Sequence, residues 1–321
     1  MKIAFCSLDR YWHGLQNNGG SCTIIRAVRA LRRLGHDAYI VTPTDKHTWL
    51  AHTTHKKIKR DTDVCIAVAI SDIKPMLKKA PAGAMTAYWA RPVELWQLKH
   101  PTMPLRLLQK VDKVFVNSEW QMDVLAEVSP TLIYQGIELD RWKDYNIRVW
   151  DRPRIGLLAS SKKRKGFDNG AALLKRLAGD YNSAILTTER KLLKRRPDGT
   201  RNVAGCNLSG ESLTAFYNTA HIWVATSTYE GLHNVPMEAA LCGCILVCNA
   251  IPAGGTGDYC IDGETGFTYK QGDIKDCERI IRSISEPRPE MVQRAKDVIR
   301  RKIGTAEDNM KKLIATLNQG G

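Results

Sequence analysis

The chain has 321 residues, 43% hydrophobic and 25% charged, and its 48 Lys and Arg against 33 Asp and Glu give a formal net charge of +15. That length suffices for two α/β domains with full cores, and the composition is ordinary for a globular protein. There is no internal repeat, no low-complexity tract and no apolar run approaching a membrane span, so fibrous and membrane-spanning classes drop out.

Apolar runs alternate with helical stretches, the pattern of parallel sheets covered on both faces. In the first half the expected strands are Lys2 to Cys6, Ala38 to Val41, Val64 to Ala69, Ala84 to Tyr88, Lys113 to Val116 and Thr131 to Ile133. Met1-Lys-Ile-Ala-Phe-Cys-Ser reads as a first strand and not as a cleavable signal, so a cytoplasmic location is expected. Asn17-Asn18-Gly19-Gly20 opens a helical pattern; alone, a Gly-Gly pair marks a turn. Asp61-Thr-Asp63 has the spelling of a metal-binding Asp-x-Asp but precedes a strand, which makes it a polar lead-in. Met103-Pro-Leu-Arg-Leu-Leu-Gln-Lys suits a core helix or an interfacial one.

The polar segment Asp144 to Pro153 reads as a linker, which divides the chain into domains 1–150 and 151–321. Beyond it come strands at Arg154 to Leu158, Ser183 to Leu186, His221 to Ala225, Ile245 to Val247 and Phe267 to Tyr269. The nine cysteines include Cys242, Cys244 and Cys248, whose spacing lacks the Cys-x2-Cys pairs of a zinc site; they read as reduced core thiols.

The most informative stretch is Ser227-Thr-Tyr-Glu230-Gly231-Leu-His233-Asn234-Val-Pro236-Met-Glu238-Ala-Ala-Leu-Cys-Gly243. Two carboxylates flank a strand-to-helix turn, with Pro236 tolerated only in the helix's first turn and Asn234 a plausible N-cap. The amides and dipole of such a helix start seat a phosphate or diphosphate, and carboxylates bind sugar hydroxyls through charge-assisted hydrogen bonds. Two glutamates at this spacing also occur by chance. The strand before them and the glycine-rich Ala253-Gly254-Gly255-Thr-Gly257 after them favour a nucleotide-sugar site.

This stretch resembles the Glu-x7-Glu signature of retaining, nucleotide-sugar-dependent glycosyltransferases of the GT-B fold (glycosyltransferase family 4, group 1 type). Asp262-Gly263-Glu-Thr-Gly266, the Gly19-Gly20 loop, Gly35-His36, Val111 to Ser118 and Tyr134 to Trp142 resemble further family segments. The resemblance implies an α/β chain of two doubly wound Rossmann-like domains facing across a cleft. The donor would sit mainly on the second domain and the acceptor on the first, with the last helix crossing back. It implies catalytic roles for Glu230 and Lys165, with Glu230 orienting the donor sugar. Glu238 would hold the ribose, and Gly231, His233 and Asn234 the phosphates. Gly19 and Gly20 would approach the diphosphate or the acceptor. No protein nucleophile and no metal are required; the nucleotide-sugar is a co-substrate.

Two departures from the family's pattern stand out. Its diphosphate Arg falls near Ser160, so Lys162, Lys163 or Arg164 must supply that charge beside the matching Lys165-Gly166, unless the run is only a solvated loop. The family's His after a first-domain strand is missing from Thr86-Ala-Tyr88-Trp89-Ala90-Arg91-Pro92-Val-Glu94. There Tyr88, Trp89 and Arg91 are acceptor-side candidates, with Trp89 and Trp96 equally readable as core. These losses also leave room for a non-catalytic binder of nucleotide-sugar or nucleic acid.

Basic residues group at His55 to Arg60, Lys162 to Lys165, Arg190 to Arg196 and Arg294 to Lys302. Their summed field attracts polyanions over a Debye length of about 8 Å, beyond contact range. Duplex DNA with a hydroxyl on an extruded modified base, as in phage-type DNA glycosyltransferases, is slightly favoured as acceptor; an anionic membrane bearing a lipid-linked glycan is the alternative.

Overall fold

The apolar runs pair as two parallel sheets. The computed structural model describes residues 1–8, 14–91, 102–195 and 202–319. Pro92 to Glu94, Trp96 and Arg196, singled out in the sequence, lie outside the described residues. The chain divides into one unit of Met1–Ile137 with Gly304–Gly321 and a second of Glu138–Ile303.

Among the described residues the first unit's sheet runs β3-β2-β1-β4-β5-β6-β7. Its strands are β1 (Lys2–Cys6), β2 (Asp37–Val41), β3 (Thr54–His55), β4 (Val64–Ala67), β5 (Met85–Ala90), β6 (Lys113–Val116) and β7 (Thr131–Leu132). Helices α1 (Gly19–Arg33), α2 (Ile70–Leu77), α3 (Thr102–Leu108) and α4 (Trp120–Val124) lie between them. Burial on both faces explains why the strands are continuous apolar runs. Ile3 and Phe5 join the core formed with α1, whereas Ala4 and Cys6 join Ile70, Ile73 and Met76 of α2 on the other face. Leu108 enters this second cluster too, as the core alternative for the Met103 segment requires. Lys2 uses Asp61 and Asp63 as ion-pair and backbone partners, which gives Asp61-Thr-Asp63 a structural occupation.

The second sheet runs β10-β9-β8-β11-β12-β13. It contains β8 (Arg154–Ala159), β9 (Asn182–Thr187), β10 (Val203–Cys206), β11 (Ile222–Ala225), β12 (Ile245–Ala250) and β13 (Phe267–Lys270). Its helices are α5 (Phe167–Leu177), α6 (Gly210–Asn218), α7 (Asn234–Leu241), α8 (Ile274–Arg282) and α9 (Pro289–Val298). Gly156 of β8 pairs with Trp223 of β11, and a Cβ on it would lie 2.5 Å from the indole, so the large ring on one strand demands the glycine on the next.

The last helix, α10 (Ala306–Asn318), belongs to the first unit, where Met310, Leu313 and Leu317 pack in the α1 core. It starts with a capping box between Thr305 and Asp308. Gly136 meets that start: its φ is +68° and a Cβ there would lie 2.3 Å from Ala306 N.

The boundary between units precedes the expected position near 150. Residues 138–150 are held by side chains of the second unit: Trp142 packs 5.7 Å from Tyr217, and the Asn218 amide bonds Lys143 O and Tyr145 N at 2.8 Å each. Arg148 reaches Ala220 O and Cys242 O. The segment is polar because it binds backbone, not because it is a free linker. Two short strands also escaped the sequence pattern. β3 has only two residues, and β10 (Val203–Cys206) has a glycine and only one buried position. Among the described residues no helix is long and apolar enough to cross a membrane.

Candidate active site

The site grows from loops at the carboxyl ends of β8 and β11, adjacent strands of the second sheet. After β8 the chain makes a 3-10 turn, Lys163–Lys165, and reverses at Gly166 with φ +65° before α5. Any Cβ on Gly166 would sit 2.1 Å from Thr226 O, so the positive φ and the close approach both require glycine. Thr226 Oγ1 donates to Lys165 O at 2.9 Å and Thr228 N to Arg164 O at 2.8 Å, which locks the basic loop onto the turn that follows β11.

That locking brings Lys165 and Arg164 to Glu230, which is 6% exposed. Lys165 Nζ and Ser227 Oγ donate to Glu230 Oε1, the latter at 2.8 Å, and Arg164 Nη1 donates to Oε2 at 2.9 Å. Burial alone would raise the Glu230 carboxyl, but Lys165, His233 and Arg164 outweigh it and hold the group far below the usual carboxylate range. Burial likewise lowers Lys165, with Glu230 opposing. Among the three candidates for the missing diphosphate cation, Arg164 is the one that enters this cluster. Lys162 and Lys163 stand exposed.

Helix α7 starts beside the cluster. His233, not Asn234, is its N-cap, with extended backbone (φ −83°, ψ 99°) and no side-chain capping bond; Asn234 is already helical and Pro236 occupies the first turn. Extended backbone at His233 is what displaces the expected cap by one residue. The loop after β12 buttresses this turn through backbone: Gly255 N donates to Gly231 O at 2.7 Å, Glu230 N to Ala253 O at 3.3 Å, and Tyr259 OH to His233 O at 2.7 Å. A Cβ on Gly255 would lie 2.2 Å from Gly231 O, so the glycine-rich run permits close backbone contact. Glu238, inside α7 and 7% exposed, accepts a 2.8 Å hydrogen bond from Tyr217 OH.

His233 is buried, and among the described residues neither ring nitrogen has a hydrogen-bond partner; Nε2 is 3.6 Å from Glu230 Oε1, too far for one. Burial lowers its pKa to about 4, against the pull of Glu230 and with Lys165 and Arg164 adding to the drop, so the imidazole is neutral at pH 7. Unfolding restores a value near 6.5. Between those values the unfolded chain binds the extra proton, so stability falls as pH drops through the window, by about 2 kcal/mol at pH 5 from this group. His36, His47 and His221 are shifted down by burial as well and act in the same direction. Thermal melts at pH 7 and pH 5 are expected to show this loss, and His233→Gln is expected to reduce it; an unchanged pH difference in the variant would exclude His233 as a source.

In the first unit Gly19 and Gly20 form the first turn of α1, capped by Asn18, whose side chain accepts from Ser21 N at 2.9 Å. Arg91 follows β5, donates Nε to Val68 O at 2.9 Å, and lies so close to Gly20 that a Cβ there would be 2.7 Å from Nη1. Of the acceptor-side candidates, Arg91 alone is at the strand ends. Tyr88 and Trp89 are 1% and 0% exposed because β5 is an inner strand covered on both faces, and Trp89 Nε1 donates to Ile133 O at 3.1 Å. Both are core residues: for Trp89 the core alternative holds, and Tyr88 is corrected from an acceptor-side candidate to a core residue. Sequence reasoning missed Ser227, Thr226, Tyr217 and Tyr259. Ser227 had a local signal, three residues before Glu230; Tyr217, on another element, had none. Among the described residues no disulfide joins the cysteines, and no group of three or more His, Cys, Asp or Glu is placed to hold a metal ion.

Residues 160–302 match the family described as glycosyl transferases group 1, a span that contains Lys165, Glu230 and Glu238. No curated protein matches the chain by sequence. Among solved structures, sucrose-phosphate synthase from Thermosynechococcus elongatus aligns with TM-score 0.79 at 16% identity, covering 99% of this chain and 98% of that one. Anabaena Alr3699/HepE in complex with UDP-glucose aligns with TM-score 0.75 at 16% identity, over 99% and 100% of the two chains. The catalytic domain of starch synthase IV from Arabidopsis thaliana, bound to ADP and acarbose, gives 0.69 at 10% identity, with 99% coverage of each. The two parallel-sheet units are those of the GT-B fold.

Proposed function

We propose that this chain, a nucleotide-sugar-dependent glycosyltransferase of GT-B fold, transfers its sugar with retention to a hydroxyl carried on a polyanion, with a hydroxymethylated base in DNA as the favoured acceptor. The observation that carries the donor half is the buried Glu230, Lys165 and Arg164 cluster beside the start of α7. Departure of a nucleoside diphosphate builds negative charge on its outer phosphate. Fixed cations and helix-start amides stabilise that charge without reorganising. Lys165 and Arg164 take this role and Glu230 holds them in place while facing the donor sugar; Glu238 holds the ribose. The acceptor attacks on the face from which the leaving group departs, so no protein nucleophile is needed, and the plan calls for no metal. The complex of Alr3699/HepE with UDP-glucose makes a uridine donor the first to try.

The acceptor half rests on a basic rim. Glu189 accepts from Ser161 N at 2.8 Å, which ties the loop after β8 to the turn after β9. Lys162, Lys163, Arg190, Lys191 and Lys194 are all exposed there, while Leu192 and the partly buried Leu193 pack against the core and not toward a bilayer. Phosphates along a duplex fit such a rim. The lipid-linked alternative has its own observation, since Tyr145, Ile147 and Val149 are 43%, 63% and 70% exposed within one short segment.

Release of nucleoside diphosphate from UDP-glucose, ADP-glucose and GDP-mannose tests this, with hydroxymethylated duplex DNA, unmodified DNA, anionic vesicles or no acceptor, in wild type, Glu238→Ala and Arg190→Glu/Lys191→Glu/Lys194→Glu. Turnover that needs modified DNA, falls in Glu238→Ala and loses about three units of salt slope for DNA binding in the triple variant is the expected result. Donor cleavage indifferent to DNA but stimulated by vesicles would replace the acceptor.

A further inference from the structure

Tyr217 sits on α6 (Gly210–Asn218), outside the loops that form the donor site, yet its hydroxyl ends on Glu238 Oε2 at 2.8 Å. The side chain is fully buried, and its ring is gripped edge-on by two indoles, Trp142 at 5.7 Å and Trp223 at 5.0 Å. The backbone behind it is engaged too, because Tyr217 O accepts from Cys244 Sγ at 3.4 Å and Arg148 Nη2 at 3.4 Å. A ring held this way cannot swing its hydroxyl elsewhere. We propose that Tyr217 is a positioning residue that fixes the Glu238 carboxylate and thereby sets the preference for a donor with a ribose diol over one lacking a ribose hydroxyl.

The chemistry follows from what each group has to offer. A phenol has one proton to donate, and a carboxylate only accepts. Burial and the neighbouring Glu238 charge push the Tyr217 phenol well above its ordinary value, so the proton stays on the tyrosine and the bond always runs from Tyr217 to Glu238. Glu238 is a buried residue of α7, one turn in from a helix start that carries no acid. A carboxylate with one oxygen anchored presents the other in one orientation, and a site built to accept a hydroxyl rejects the analogue lacking it far more strongly than a loose one does. Removing the Tyr217 bond takes away one constraint on that orientation, and the penalty for a missing hydroxyl shrinks.

This inference rests on the proposed role of Glu238 at the ribose. The test compares kcat and KM for UDP-glucose and its 2′-deoxyribose analogue, read as release of nucleoside diphosphate, in wild type, Tyr217→Phe, Glu238→Gln and Trp142→Leu. The phenylalanine keeps the ring between its two indoles and removes only the hydroxyl. Expected are a preference for the ribose form of at least tenfold in wild type and a several-fold smaller one in Tyr217→Phe, arising through KM with kcat little changed. Trp142→Leu, which loosens the ring without touching the hydroxyl, shifts the preference in the same direction and covers the case of an unfolded Tyr217→Phe. If Glu238→Gln loses the preference while Tyr217→Phe and Trp142→Leu retain it, Tyr217 is a packing residue and the inference falls while the role of Glu238 stands. If Glu238→Gln also retains it, or wild type shows none, the role of Glu238 at the ribose falls and takes this inference with it.

Discussion

Lys165→Met is expected to lower kcat for donor cleavage by about 10²–10³-fold, the loss of one preorganised donor to a developing oxyanion, while KM changes by much less. Lys165 is a largely buried ammonium held by Glu230 on one side and by a backbone whose carbonyl is bonded to Thr226. Its position is therefore set before any substrate arrives, which is the condition under which a charge lowers a barrier and not only a dissociation constant. Methionine keeps an unbranched stem of similar length and removes the charge. Arginine is not expected to rescue, because its planar guanidinium does not reproduce the compact point charge that Glu230 holds here. Steady-state and single-turnover release of nucleoside diphosphate separate the two constants. A variant with unchanged single-turnover rate and a raised KM would show that Lys165 serves ground-state binding alone.

The fold was legible because parallel strands buried on both faces announce themselves as apolar runs, and only the two-residue, half-buried β3 and the glycine-containing β10 lacked that signal. The site was legible where its residues are neighbours in sequence: Glu230, His233 and Glu238 share one turn and helix, and Lys165-Gly166 one loop. What stayed hidden depends on contacts between distant segments. Nothing local distinguishes Arg164 from Lys162 and Lys163; the hydrogen bond from Thr228 to Arg164 O decides which cation faces Glu230. Nothing near Trp89 reveals that β5 has strands on both sides, and nothing near Tyr217 reveals Glu238. The polar residues of 138–150 read as a linker because composition does not distinguish backbone-binding side chains such as Arg148 from solvated ones.

Glu230→Ala is expected to destabilise the second unit by about 3–5 kcal/mol, the cost of leaving a buried charge without its partner, in addition to abolishing donor turnover. Arg164 is partly exposed and can turn toward water, so the penalty falls mainly on Lys165, whose side chain is 16% exposed. This assignment gives the double variant a definite outcome. Lys165→Met/Glu230→Leu removes both charges and fills the space with apolar groups, a replacement that is often neutral for a buried pair, so its melting temperature should return close to that of wild type while activity remains absent. Thermal or urea unfolding of wild type, both single variants and the double variant closes the cycle and gives a coupling energy directly. Strong coupling means that Glu230 is retained to hold a cation where the diphosphate departs. Additive losses would mean that Glu230 and Lys165 are stabilised separately, by Ser227 and by the loop backbone. The pairing that defines the site would then be a consequence of proximity and not its cause.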